Sequence, residues 1–162
     1  MQVRPAEPED WAAIWPFLGR IVADGETYCW PRDTSESDAR TWWMRKPSGR
    51  VYVAVDDGGT VLGTAELHPN QPAGGAHVAN AGFMVSHAAA GRGVGRALAL
   101  QLLEEATRLG FRAMQFNAVV ETNTRAVALW RSLGFRILAT VPEAFVHPEE
   151  GLVGMHIMHR HL

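Results

Sequence analysis

Cysteine is nearly absent from this chain. The single Cys29 cannot close an internal disulfide, cannot assemble a thiolate zinc cluster alone, and reads as a lone buried thiol. A basic surplus is missing too. Fifteen Lys and Arg against 17 Asp and Glu leave a formal charge of −2, so the electrostatic footprint of a nucleic-acid binder is lacking and no nucleic acid is expected as a partner. No apolar run approaches the roughly 18 residues a membrane span needs, so no membrane is expected either. The opening MQVRPAEPEDW is acidic and proline-bearing, unlike a signal or transit peptide. Internal repeats, low-complexity blocks and long linkers are lacking as well. With 47% hydrophobic and 20% charged residues in 162, the expectation is one soluble, cytoplasmic domain spanning residues 1–162.

Periodicity supplies the elements. Residues 2–5 suit a short strand, and Pro8 suits the first turn of a helix whose Trp11, Ile14, Trp15, Leu18, Ile21 and Val22 share a face. Pro16 within that face predicts a bend or break. Residues 24–34 read as loop, and Ser35 or Ser37 is positioned to cap a second short helix carrying Trp42 and Trp43. Strands at 51–55 and 60–67 flank Asp57-Gly58-Gly59, a hairpin signal. After a turn-rich loop at 68–76 come a strand at 77–85, a helix with Val94, Ala97, Leu98, Leu102, Ala106 and Leu109 on one face, and a strand at 111–120. Asn123 or Thr122 caps the next helix (Ala126, Leu129, Trp130, Leu133), and strands at 135–141 and 154–162 close the chain. The order is β-α-α-β-β-β-α-β-α-β-β, with 77–85 and 112–120 expected parallel and adjacent across the middle β-α-β crossover.

Chemistry concentrates in Gly91-Arg92-Gly93-Val94-Gly95-Arg96, between an apolar strand and an amphipathic helix. Glycines let the backbone turn tightly and approach a ligand closely, while the unpaired N–H groups of a helix's first turn converge where the dipole favours negative charge. Such a turn makes a pyrophosphate cradle, with Arg92 and Arg96 adding positive charge. A dinucleotide fingerprint does not fit, because the turn lies past mid-chain, lacks its third glycine and has no acid in the strand after it. A Walker loop needs Gly-Lys-Ser or Gly-Lys-Thr, and the chain has Gly95-Arg96-Ala97. An acyl-CoA site is the third reading, and a glycine-rich strand-to-helix turn without any ligand is the bland alternative.

The run MVSHAAAGRGVGRALALQLLEEATRLGF resembles the cofactor motif of the GNAT superfamily of N-acetyltransferases, and NTRAVALWRSLGF (123–135) resembles its second motif. The resemblance spans essentially the whole chain and is strongest over 77–135. It implies an α/β (α+β) GNAT fold: a mixed six- to seven-stranded sheet with splayed parallel strands and acetyl-CoA as cosubstrate, without a metal. It further implies that Phe83, Met84 and Val85 pair with the pantetheine arm. The amides of Arg92, Gly93, Val94, Gly95, Arg96 and Ala97 hold the pyrophosphate, and Asn123 contacts the arm. Ala90 stands where such enzymes usually carry Gln or Arg, and Trp130 where they often carry Tyr. An indole N–H donates only and supplies no proton, so Trp130 reads either as a neighbour of the thioester or as a plain core aromatic. A finer likeness, in HVANAGFMV and FNAVVETN, is to acetyltransferases of proline analogues such as azetidine-2-carboxylate. It implies that Asn80 and Asn117 face the transfer point, against the alternative that each satisfies nearby backbone. A homodimer is also implied.

Acetyl transfer to an amine needs proximity, a donor for the oxyanion and a neutral amine. Direct attack in a ternary complex is expected, with the N–H of Met84 or Val85 as the oxyanion donor and Cys29 uninvolved. Glu66, Glu26, Glu121, His77 or water is the candidate base. His156, His159 and His161 read as a solvated terminal strand. Trp11 and Trp15 read as core, whereas Trp30, Trp42 and Trp43 are candidates for an acceptor pocket or a dimer seam. The expected acceptor is a small, amino-acid-like amine. A protein or peptide acceptor, or a CoA-binding sensor without turnover, are the alternatives.

Overall fold

A computed structural model describes residues 1–44 and 48–162. Seven strands form one sheet: β1 (Gln2–Pro5), β2 (Arg50–Val55), β3 (Val61–Pro69), β4 (Val78–Val85), β5 (Ala113–Val120), β6 (Arg136–His147) and β7 (Gly151–His161). Their spatial order is β1-β2-β3-β4-β5-β7-β6. Every neighbouring pair is antiparallel except β4 and β5, which are parallel and joined through α3 (Val94–Arg108). The remaining helices are α1 (Trp11–Asp24), α2 (Glu36–Met44) and α4 (Thr124–Ser132). This is the element order the periodicity predicts, in a seven-stranded mixed sheet.

The sheet separates two apolar layers. On β2, Tyr52 and Ala54 join a core with Leu98, Leu102 and Trp130 from α3 and α4. Val53 and Val55 turn the other way to Ile14, Leu18 and Trp43 from α1 and α2. That is the period-two alternation of a strand covered on both faces. The Trp43 indole donates to Thr64 Oγ1 at 3.1 Å, and the Thr64 hydroxyl donates to Tyr52 O at 2.9 Å, so the polar atoms carried into this layer are partnered.

Three sequence expectations change. Helix α1 runs unbroken through Pro16, because Ala12, whose carbonyl loses its donor, lies with Pro16 on the exposed side where water can replace the bond. The closing strands are longer than periodicity suggested, since β6 continues to His147 despite Pro142 and two register shifts against β7. Leu109 follows the end of α3 and is 37% exposed rather than part of its buried face. The cap of α2 is as expected, with Ser35 Oγ accepting from the Asp38 N–H at 3.2 Å.

The parallel pair is what shapes the molecule's centre. β4 and β5 are in register only at Val78–Ala113 and Ala79–Met114, and beyond those residues they diverge. The gap between them opens toward the start of α3.

Candidate active site

The gap edge of β4 follows from its pairing with β3. The Ser86 N–H reaches Leu62 O and the Asn70 N–H reaches Val78 O, at opposite ends of an unshifted register. Asn80, Gly82 and Met84 therefore direct their peptide groups to β3, and Ala81, Phe83 and Val85 direct theirs into the gap. This corrects one expectation: the Met84 N–H is turned toward β3, while Val85 and Phe83 face the side where an arm would lie.

Two of those gap-facing amides carry side-chain partners. Asn80 Oδ1 accepts the Ala81 N–H at 2.8 Å. The Tyr28 hydroxyl accepts the Phe83 N–H at 2.9 Å and donates to the Phe83 carbonyl at 3.1 Å. Gly82 makes this possible, because a Cβ there would lie 3.1 Å from the Tyr28 oxygen and 2.9 Å from Glu66 Oε1. Desolvation first, and the Glu66 charge second, push the Tyr28 phenol well above its ordinary range, so it stays protonated.

At the other end of the gap, Gly93 caps α3 in the left-handed conformation with φ 79° and offers no side-chain hydrogen bond. The first helical bond closes from the Ala97 N–H to Gly93 O at 3.0 Å, which leaves the Val94, Gly95 and Arg96 amides without an intrahelical acceptor. A Cβ on Gly91 or Gly93 would meet nothing within 4 Å, so the turn leading into these amides is open, whereas one on Gly95 would touch Leu129 at 3.4 Å. The cradle is narrower than expected at both ends. The Arg92 N–H is held by Ala89 O at 3.3 Å and the Ala97 N–H by its own helix. The Arg96 guanidinium bonds Ser132 Oγ at 2.6 Å, bracing the start of α3 against the end of α4. An anionic phosphate group fits what remains: converging amides, a helix dipole and two exposed arginines.

Beside the Asn80–Phe83 stretch of β4 lies a cavity of about 300 Å³. Asn80 and Asn117 both line it, one from each diverging strand. The Asn117 amide donates to Asn70 Oδ1 at 2.7 Å while its carbonyl accepts from Gln115 at 2.9 Å. Asn123 borders the cavity and caps α4, its Oδ1 accepting the Ala126 N–H at 3.3 Å. Trp130 is 93% buried, as its 7% exposure records, and packs at 4.8 Å ring-centroid distance against both Phe83 and Phe116. It thus forms part of the core and of the cavity lining at once.

The four base candidates separate. Glu66 lies in the cavity, 4% exposed, with His68 Nε2 at 3.6 Å from its Oε2. Glu26 borders an adjoining, more polar pocket with His147 and Arg125. Glu121 is turned to β7, where its Oε1 accepts the Gly154 N–H at 2.5 Å. His77 is exposed at the far end of β4, outside the cavity lining. Cys29 is exposed at the cavity rather than buried, with its Sγ 3.8 Å from Met155 Sδ, and desolvation raises its thiol pKa. Of the tryptophans, Trp30 lines the cavity, Trp43 is core at 1% exposure, and Trp42 stacks edge-on against Trp30 while 40% exposed. His159 and His161 meet edge to face at 4.8 Å between ring centroids, and His156 pairs with Thr140 instead. Among the described residues no three His, Cys, Asp or Glu side chains gather as metal ligands, and no helix is long and apolar enough to cross a membrane.

Tyr28 and His68 escaped the sequence reading. Tyr28 sits in a loop without periodicity and reaches β4 across 55 residues. His68, by contrast, is two residues from Glu66, and a strand places i and i+2 on one face.

One parallel strand pair is thus prised open over a bare helix start. Residues 15–135 match the model of the acetyltransferase (GNAT) family. The chain belongs to that family, a class of acyltransferases. A GCN5-related N-acetyltransferase from Kribbella flavida superposes with a TM-score of 0.96 at 59% identity, covering 99% of this chain and 97% of that one. The structure of yncA from Salmonella typhimurium, solved with its cofactor acetyl-CoA, gives 0.87 at 25% identity over 100% and 94% of the two chains. N-acetyltransferase aca1 of Schizosaccharomyces pombe is 34% identical over 110 residues, 67% of this chain and 53% of that protein, so the match spans about half of the relative's length. The L-methionine sulfoximine/L-methionine sulfone acetyltransferase of Salmonella typhimurium is 28% identical over 90% of this chain and 86% of its own.

Proposed function

We propose that this chain is a cytoplasmic, acetyl-CoA-dependent N-acetyltransferase acting on a small amine of amino-acid type, by direct attack in a ternary complex. The observation that carries this reading is that the β4 edge facing the gap has the uncapped α3 amides beyond its end and, beside Ala81–Phe83, a cavity small enough for a compact acceptor. The Gly93, Val94, Gly95 and Arg96 amides take the diphosphate. Val85 and then Phe83 offer N–H groups along the arm, one of them to the thioester oxygen. Asn123, whose Oδ1 is engaged in its cap, retains its Nδ2 donor for the arm. Trp130 packs beside the thioester.

In the reaction the acceptor nitrogen bonds the thioester carbonyl carbon, the C–S bond breaks and the thiolate departs. The amine's proton goes to Glu66, the base candidate lying in the cavity with Asn80 and Asn117. Those two amides orient the acceptor, since an amide can donate and accept but takes no proton. The methionine sulfone relative supports an amino-acid acceptor, and the likeness to the azetidine-2-carboxylate subgroup supports proline analogues beside it. A second copy of the chain is proposed to cover the hairpin of β6 and β7, where Leu138, Val146 and Leu152 are 56%, 72% and 58% exposed; sedimentation as a monomer removes that part.

The test is calorimetry with acetyl-CoA followed by thiol release across amines that include proline analogues, methionine sulfone and peptides. Binding with release driven only by small amino acids supports the reading. Release driven by peptides alone favours a protein acceptor, and tight binding without acceptor-dependent release favours a sensor. Glu66→Gln is expected to lower kcat about 100-fold and flatten the acid limb of the pH–rate profile. An unchanged profile removes Glu66 as the base.

A further inference from the structure

We infer that Tyr28 is a positioning residue that ties the arrival of the acetyl thioester to the shape of the acceptor wall. The inference rests on the cofactor path proposed above. Counted from the phosphate end, Val85 is the first gap-facing residue of β4 and Phe83 the second. A strand rises about 3.3 Å per residue, so the Phe83 amide lies about 7 Å farther from α3. An arm anchored at α3 passes Val85 before it reaches Phe83, and its thioester end comes to Phe83. There the Tyr28 oxygen already accepts the N–H at 2.9 Å, with its own proton directed to the Phe83 carbonyl at 3.1 Å. That oxygen stands where a thioester carbonyl oxygen has to sit. The two oxygens compete for one N–H, so acetyl loading displaces the hydroxyl. The free thiol of CoA brings no carbonyl and leaves Tyr28 in place.

Of the two indole rings that flank Tyr28, one is able to follow it. The Tyr28 ring lies edge-on to Trp43 at 6.2 Å and to Trp30 at 5.9 Å. Trp43 is fixed in the core by its bond to Thr64, whereas Trp30 belongs with Thr27 and Cys29 to the loop that walls the acceptor cavity. Motion of Tyr28 therefore passes to Trp30. The wall takes one form with acetyl-CoA and another with CoA, which orders acceptor binding after loading and favours release once the acetyl group has left.

The chain has only two tyrosines, so ring-labelled tyrosine gives a two-residue spectrum with Tyr52, buried against the other face of the sheet, as internal reference. Acetyl-CoA is expected to shift the Tyr28 resonance and the Trp30 indole while Tyr52 holds, and CoA is expected to leave Tyr28 unmoved. In Tyr28→Phe the Phe83 amide loses its partner in the free enzyme, and acetyl-CoA affinity rises about tenfold with that of CoA unchanged. A Tyr28 signal that responds alike to both ligands overturns the inference, as does a folded variant whose ratio of acetyl-CoA to CoA affinity matches wild type. If the variant does not fold, the wild-type spectrum decides. Failure of the wild-type protein to bind either ligand sinks instead the cofactor path on which the inference stands.

Discussion

Helices α3 and α4 each follow a strand of the same parallel pair, and each begins beside the same gap, yet their first turns are built in opposite ways. Helix α4 is closed by its own side chain: Asn123 accepts the Ala126 N–H. Helix α3 begins at a glycine with positive φ, has no side-chain cap, and has open space beside that glycine. An N-cap side chain typically stabilises a helix by about 1 kcal/mol, so the α3 start forgoes stability that α4 retains. Forgoing it leaves donors and a positive dipole end for an anion. The difference separates a helix start closed by its own side chain from one whose donors are left to an outside acceptor.

That contrast can be broken most strongly at Gly93. Gly93→Asp supplies a carboxylate to the bare turn, and Asp tolerates the left-handed backbone better than most residues. Affinity for CoA is expected to fall about 100-fold by calorimetry, because the new charge occupies and repels the phosphate position, while Tm stays within a few degrees of wild type. Asn123 sharpens the comparison from the other side. Asn123→Ala is expected to cost about 1 kcal/mol in denaturant unfolding, whereas Asn123→Asp keeps the capping oxygen and that stability. Both remove Nδ2, so both are expected to weaken CoA binding by the same few-fold factor; wild-type affinity in either variant would show that Asn123 only caps. The smallest effect is expected at Arg96, an exposed brace. Arg96→Ala should change unfolding free energy by about 0.5 kcal/mol or less, and CoA affinity only two- to threefold, with the gap closing as salt is raised.

Much of this architecture was legible before any coordinates. The glycine run placed the α3 start because few residue types adopt the φ of Gly93, and the strand-turn-helix pattern around it admits few uses. The cap of α4 was legible to within one residue, Asn123 or Thr122, from where the apolar stripe begins, and the bond to the Ala126 N–H selects Asn123. Pro16 does not break α1, because the cost of the lost bond depends on whether Ala12 faces water, which no local pattern states. Met84 and Val85 looked equivalent in sequence; their pairing register decides which N–H faces the gap. Cys29 departs from the general habit of free thiols to be buried, because its loop runs along an open cavity.

The amino-acid sequence alone determined the order of elements, the family and the bare helix start. These depend on periodicity and on backbone conformations that only certain residues adopt, both of which act over a few residues. The tertiary structure alone decided that Glu66 reaches the cavity while Glu121 turns to Gly154, and that Tyr28 crosses to Phe83. Those outcomes depend on distances between segments far apart in the chain, and only packing the sheet and its helices fixes them.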